Sequence, residues 1–255
     1  MLHIDLSGKI AVVTGASGEL GRVIVRTLAH CGADIAIHYW RNQRTAEDLL
    51  AEVAAVGIRG VTVQADVTNF EAVLSMRDTV VRSLGAPQIL VNNAVIQYQP
   101  WTSVIAQAIE DYESQFRSCV LQNVFMAKAF VPGMMQARYG RIIAISTECA
   151  MQNLPHQSAY VAGKRGMDGF VRVLAKEIGA HQITVNQVAP GWTISERVGR
   201  EGSQHQPAYE ATIPLQRRGE DQEVANVVAF LASDLASYIT GAYIPVCGGN
   251  VMPAI

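Results

Sequence analysis

Charge is scarce in this 255-residue chain: 16% of the residues are Asp, Glu, Lys or Arg, and the only lysines are Lys9, Lys128, Lys164 and Lys176. The formal net charge is −2, so no basic field exists to draw in nucleic acid or an anionic membrane. With 49% hydrophobic residues, the balance is also the reverse of that found in disordered chains. Long apolar runs are lacking too. The uncharged stretch from Ser83 to Ile109 is broken by Asn92, Asn93, Gln97, Gln99 and Pro100, and that from Leu235 to Ile255 by glycines and prolines. Neither offers the roughly 20 continuous apolar residues that a membrane span needs. The four cysteines, Cys31, Cys119, Cys149 and Cys247, stand far apart, form no CxxC pair and have no histidine cluster beside them. No metal site is expected, and four reduced thiols in a reducing compartment are. The chain enters a strand pattern at Ile10 directly after Asp5, with no signal-peptide pattern before it, so a cytoplasmic protein is expected.

What the chain does contain is alternation. Short apolar runs rich in Val and Ile fall at Ile10–Thr14, Ile35–Tyr39, Gly60–Ala65, Ile89–Asn92, Arg141–Ser146, Ile183–Ala189 and Tyr243–Val246. They lack strict period-2 alternation, as strands covered on both faces do. Amphipathic helical patterns lie between them at Leu20–His30, Thr45–Val56, Phe70–Leu84, Ile109–Arg138, Ala159–Gly179 and Asp221–Ala232. Repeated β-α-β units with right-handed crossovers predict an α/β fold: a doubly wound, Rossmann-type parallel sheet of about seven strands, in a single domain spanning 1–255. The irregular stretch from about 191 to 219 is long for a connection and is expected to be a substrate lid.

Chemistry is concentrated at a few places. The segment Thr14-Gly15-Ala16-Ser17-Gly18-Glu19-Leu20-Gly21 joins the first strand to the first helix. Glycines there let a pyrophosphate approach free amide groups at the helix start. The second strand ends in His38-Tyr39-Trp40-Arg41, with Arg44 nearby and no carboxylate. A guanidinium pairs with phosphate, which favours NADP(H), with NAD(H) as the other option. Asp66, followed by Val67, suits a bond to the adenine amino group or an N-cap for the next helix. Tyr160 and Lys164 share a helical face at i, i+4, where the ammonium is expected to lower the tyrosine pKa and make it a general acid or base.

These motifs occur together and in order with Asn92-Asn93-Ala94, Asn186-Gln187-Val188-Ala189-Pro190-Gly191 and a tail from Ile239-Thr240-Gly241 to Gly248-Gly249. From about Gly8 to Gly249 the chain resembles the short-chain dehydrogenase/reductase family, particularly its members of about 250 residues such as 3-oxoacyl-carrier-protein reductase-like oxidoreductases. The resemblance implies hydride transfer between a nicotinamide dinucleotide and a small carbonyl or secondary alcohol. It implies that Tyr160 protonates the substrate oxygen and that Lys164 holds the nicotinamide ribose. Asn93 and Ala94 would lie along the cofactor, with Pro190, Gly191 and Thr193 by the nicotinamide. It also implies a homodimer or homotetramer.

Departures from the family pattern are equally specific. Glu19 stands where the family has the middle glycine of its first turn, with Gly18 one place earlier; a carboxylate facing a pyrophosphate would repel it, and one facing solvent would not. Thr147 stands at the catalytic serine position, with Ser146 as the weaker candidate facing the other way. Cys119 occupies the position of the relay asparagine, Val95 replaces a glycine and Cys247 an aspartate. Candidate pocket residues are Ile96, Gln97, Tyr98 and Trp101 on one loop, Glu148, Gln152, Asn153 and His156 on a second, and Trp192, His205 and Tyr209 on the lid. Their amides, carboxylate and aromatics suit a small polar ketone; an acyl thioester on a carrier protein is the other candidate. The alternative to an active enzyme is a catalytically weakened protein of this fold that binds or regulates, motivated by Glu19, Thr147, Cys119 and Val95.

Overall fold

A computed structural model describes residues 3–96, 100–195 and 205–253. Seven strands form one sheet: β1 (Ile10–Val13), β2 (Asp34–Tyr39), β3 (Gly60–Gln64), β4 (Ile89–Asn92), β5 (Gly140–Ile145), β6 (Ile183–Pro190) and β7 (Tyr243–Val246). All pairings are parallel, in the order β3-β2-β1-β4-β5-β6-β7. The strand order reverses between β1 and β4, and a crevice opens there at the carboxyl ends of the strands. The strands are continuous apolar runs because helices cover both faces: β1, β4 and β5 are buried at every position.

On one face α1 (Glu19–His30), α2 (Gln43–Ala55) and a late helix over Asp221–Ala232 pack through Ile24, Leu28, Leu49, Val224 and Val228. On the other, α3 (Phe70–Ser83) and the central helices pack through Val73, Met126, Phe130, Met167 and Val171. Local signals set the helix starts. Asn69 caps α3 by accepting from the Ala72 amide at 3.1 Å. Glu220 and Glu223 form a reciprocal capping box ahead of the Asp221–Ala232 helix.

The helix expected over Ile109–Arg138 is three pieces: α4 (Ile109–Gln115), a π-helical turn (Phe116–Leu121) and α5 (Gln122–Ala137). Periodicity does not register the turn, because it is a change in the backbone hydrogen-bond pattern that side-chain polarity does not report. β5 stops at Ile145, so Ser146 and Thr147 belong to the loop beyond it. α6 (Cys149–Gln152) and α7 (Ser158–Ile178) follow, then α8 (Pro207–Glu210) and α9 (Asp221–Ala232). No helix among the described residues is long and apolar enough to cross a membrane.

Candidate active site

An open cleft of about 1390 Å³ runs along the carboxyl edge of the sheet, and motifs from the whole chain meet in it. At one end lies the first β-α turn. Gly15 has φ +62°, and a Cβ there would sit 2.9 Å from the Ala94 Cα. A Cβ at Gly21 would run into the Gly15 carbonyl. These two glycines, not Gly18, are the ones the turn requires: Gly18 is the α1 N-cap with an ordinary φ of −78°.

Position 19 opens α1, so no left-handed backbone is demanded of Glu19. Its carboxylate lines the cleft and pairs with Arg22 at 3.1 Å, one helical turn on. The charge expected to repel a pyrophosphate is thus compensated within its own helix, at a favourable N-terminal position. Ser17 and Leu20 complete this wall.

Asn93 and Ala94 are laced to the turn. The Thr14 hydroxyl accepts from both their amides at 2.9 and 3.0 Å, and the Asn93 side chain donates to the Thr14 and Gly15 carbonyls. His38, unassigned by the sequence, completes the lacing. Its Nδ1 accepts from the Gly15 amide at 2.9 Å and its Nε2 bonds the Ala65 carbonyl at 3.0 Å, which fixes the neutral ring with the proton on Nε2. Burial pushes its pKa down to about 4.

Beyond it, the Arg41 guanidinium stacks on the Trp40 ring at 3.9 Å, and both line the cleft. Arg44 does not line it. Asp66 and Val67 do, and Asp66 accepts from the amide and hydroxyl of Thr68 at 2.9 and 2.7 Å. Its alternative role as helix cap is overturned: Asn69, three residues later, takes that position.

At the other end Tyr160, on the first turn of α7, borders the cleft together with Thr147, whose hydroxyl accepts from the Cys149 amide at 3.2 Å, and its ring stacks on Trp101 at 6.3 Å. Ser146 also borders the cleft, but its buried hydroxyl has no hydrogen-bond partner among the described residues, and the Tyr243 phenol donates instead to the Thr147 carbonyl at 2.6 Å. Lys164 is buried below, with Nζ 5.8 Å from the Tyr160 ring centroid and donating to the Ile145 carbonyl at 2.7 Å.

The expected lowering of the tyrosine pKa is not found. Burial pushes the Tyr160 phenol up, Cys119 and Cys149 add to the rise, and the Thr147 side chain opposes it. Burial lowers the Lys164 ammonium. Desolvation penalises both charged forms and here outweighs any attraction between them.

Cys119 lies behind this pair, fully buried on the π-helical turn, and does not line the cleft; Ser118 does. The Cys119 carbonyl accepts from the Asn123 side chain at 2.7 Å, and Asn123 in turn accepts from Asn92 at 2.8 Å. Asn123 is a residue the sequence reading missed.

Pro190, Gly191 and Thr193 line the cleft after β6. The Thr193 hydroxyl donates to Asp221 at 2.5 Å, and the Arg218 guanidinium bonds the Trp192 and Thr193 carbonyls while lying 4.7 Å from the Trp192 ring. Of the candidate pocket residues, Ile96, Trp101, Glu148, Gln152, Trp192 and Tyr209 line the cleft, whereas Asn153, His156 and His205 do not. Gln97, Tyr98 and lid residues 196–204 lie outside the described residues.

The comparisons with known proteins agree with this geometry. The family model described as enoyl-(acyl carrier protein) reductase matches residues 15–250. The chain belongs to the short-chain dehydrogenase/reductase family of oxidoreductases. It is 36% identical to the 3-oxoacyl-[acyl-carrier-protein] reductase FabG of Pseudomonas aeruginosa PAO1, covering 98% of this chain and 100% of that protein. It is 37% identical to FabG of Staphylococcus aureus N315, covering 96% and 98%. Among solved structures, the promiscuous reductase LugOII, which catalyses keto-reduction at C1 during lugdunomycin biosynthesis, superposes with a TM-score of 0.88 at 29% identity, covering 97% and 99%.

Proposed function

We propose that this chain reduces a small carbonyl, or oxidises the corresponding secondary alcohol, with NADP(H) as the favoured cofactor and Tyr160 as general acid or base. The observation that carries the reading is that Tyr160, Lys164 and Thr147 border the same cleft as the glycine turn. The backbone bared at Gly15 and Gly21 and the amides at the start of α1 suit a pyrophosphate. Arg41, held flat on Trp40, suits a 2′-phosphate. Asn93, Ala94, Gly191 and Thr193 border the remaining length of the dinucleotide. The relatives' name, 3-oxoacyl-[acyl-carrier-protein] reductase, supports a reductase using a nicotinamide cofactor.

When bound, the nicotinamide supplies or accepts the hydride. Thr147 orients the substrate oxygen, Tyr160 delivers its proton to that oxygen in reduction, and Lys164 holds the ribose. The Thr147 methyl limits its rotamers, and its hydroxyl accepts from the Cys149 amide at 3.2 Å. A catalytically weakened binding protein leaves the Tyr160–Lys164 pair without a purpose. The segment at 191–219 acts as the lid, through Trp192 and Tyr209. A homodimer or homotetramer is supported by the apolar side chains left exposed at Ile105, Ile109, Val173 and Met252. A cytoplasmic setting fits the four free cysteines.

Direct titration tests the cofactor assignment. NADPH binds at least tenfold more tightly than NADH, and Arg41→Ala weakens NADPH about tenfold while leaving NADH within twofold. Tighter binding of NADH would overturn the preference. Absence of binding of either at millimolar concentration would overturn the enzyme reading.

A further inference from the structure

The substrate end of the cleft contains a carboxylate that the chemistry above does not use. Glu148 follows Thr147 directly and lines the cleft, yet it is 3% exposed. Two donors converge on it. The Tyr209 hydroxyl donates to Oε1 at 2.6 Å and the Asn250 side chain donates to Oε2 at 3.0 Å. The Trp192 amide donates to the Tyr209 oxygen at 2.8 Å. A Cβ at Gly191 would meet the Tyr209 hydroxyl at 2.8 Å and Glu148 Oε2 at 3.1 Å, so the backbone has been cleared for this knot.

Both neighbours point hydrogens at Glu148. An ionised carboxylate satisfies them; a protonated one would turn its own hydrogen against a donor. Burial raises the pKa of the group above its ordinary value and these bonds only partly oppose it; among the described residues no cation contributes. Glu148 is thus a fixed negative charge in a low-dielectric wall, next in sequence to the residue that orients the substrate oxygen. Its partners hold it in place without neutralising it.

The geometry points to Glu148 as the residue that sets substrate charge: ketones bearing a carboxylate or phosphate within a few bonds of the carbonyl are excluded, and neutral or cationic ones are admitted. This rests on the reductase reading and narrows it. A charge about 7 Å away at an effective dielectric near 20 is worth more than a factor of ten in affinity. Hydrogen-bonding neutral ketones gain by the same arrangement, since a hydroxyl or amide on the substrate finds acceptor lone pairs on Glu148.

The test uses two probes of nearly one shape, acetoacetamide and acetoacetate, with the full chain and saturating cofactor. Wild-type kcat/KM is at least tenfold higher for the amide. Glu148→Gln narrows that ratio at least fivefold, chiefly by improving acetoacetate. Tyr209→Phe loosens the knot but keeps the charge, and leaves the ratio within twofold. Equal efficiency for the two probes in the wild type overturns the filter even where Glu148→Gln fails to fold. A ratio that Glu148→Gln leaves unchanged, or that Tyr209→Phe collapses, also overturns it and assigns Glu148 to holding the lid. Reduction of acetoacetate but not the amide would reverse the sign. Failure of the wild type to oxidise NADPH or NADH with any neutral ketone of a wider panel would overturn the reductase reading, and the filter with it.

Discussion

Replacing Tyr160 by phenylalanine lowers turnover by about 100-fold or more and leaves cofactor affinity within about twofold of the parent chain. The substitution removes one oxygen from a cleft otherwise unchanged: the ring keeps its stack on Trp101, and Lys164 keeps its bond to the Ile145 carbonyl. Only the proton route is lost. Steady-state kinetics with direct cofactor titration checks both halves; unaltered turnover removes Tyr160 from the mechanism, and lost cofactor binding makes its role structural.

The pH dependence follows from the direction of the shift. Burial raises the phenol above its ordinary value of 10.0, so it holds its proton throughout the neutral range. Reduction, which consumes that proton, therefore persists through neutral pH. Alcohol oxidation, which needs the phenolate, climbs with pH and reaches no plateau below the ordinary tyrosine value.

Acidification is expected to unfold the cofactor end of the molecule through His38. The ring is buried neutral and its pKa is pushed from 6.5 to about 4. The unfolded chain binds a proton near pH 6.5 that the folded chain refuses until about pH 4. Stability is complete above the upper value and is lost as pH falls through this window, by about 3 kcal/mol in all. For a chain of this size that corresponds to a drop in Tm of about 6–10 °C. The protonated ring can no longer accept from the Gly15 amide, so the turn loses its support at the same time. Calorimetry across the window, with His38→Gln alongside, isolates this share from that of the carboxylates: glutamine accepts and donates without titrating, and its pH slope is shallower. An identical slope in the two proteins would exonerate His38.

The strands were legible because parallel strands covered on both faces leave continuous Val- and Ile-rich runs; β4 and β7 match their sequence boundaries at both ends. The π-helical turn was not, since it changes hydrogen bonding without changing which residues are apolar. In the site, motif residues such as Gly15, Asn93, Thr147 and Tyr160 were legible as local patterns. His38 was passed over because its value lies in contacts 23 and 27 residues away. Glu148 was noticed only as a polar loop residue, since Tyr209 and Asn250 reach it from 61 and 102 positions on. The pKa of Tyr160 ran opposite to expectation for a related reason: i, i+4 spacing reports proximity but not burial.

The lacing of Thr14, Gly15, His38, Ala65, Asn93 and Ala94 also lies wholly in the first part of the chain. The cofactor cradle draws on β1, β2, β3 and β4, all encoded before residue 95, and closes once β4 has joined β1. The catalytic wall waits for residues 145–193, and the knot on Glu148 waits for Asn250. The residues that would grip a dinucleotide therefore leave the ribosome well before those that would react with a ketone, while the helix that α1 packs on, Asp221–Ala232, arrives late.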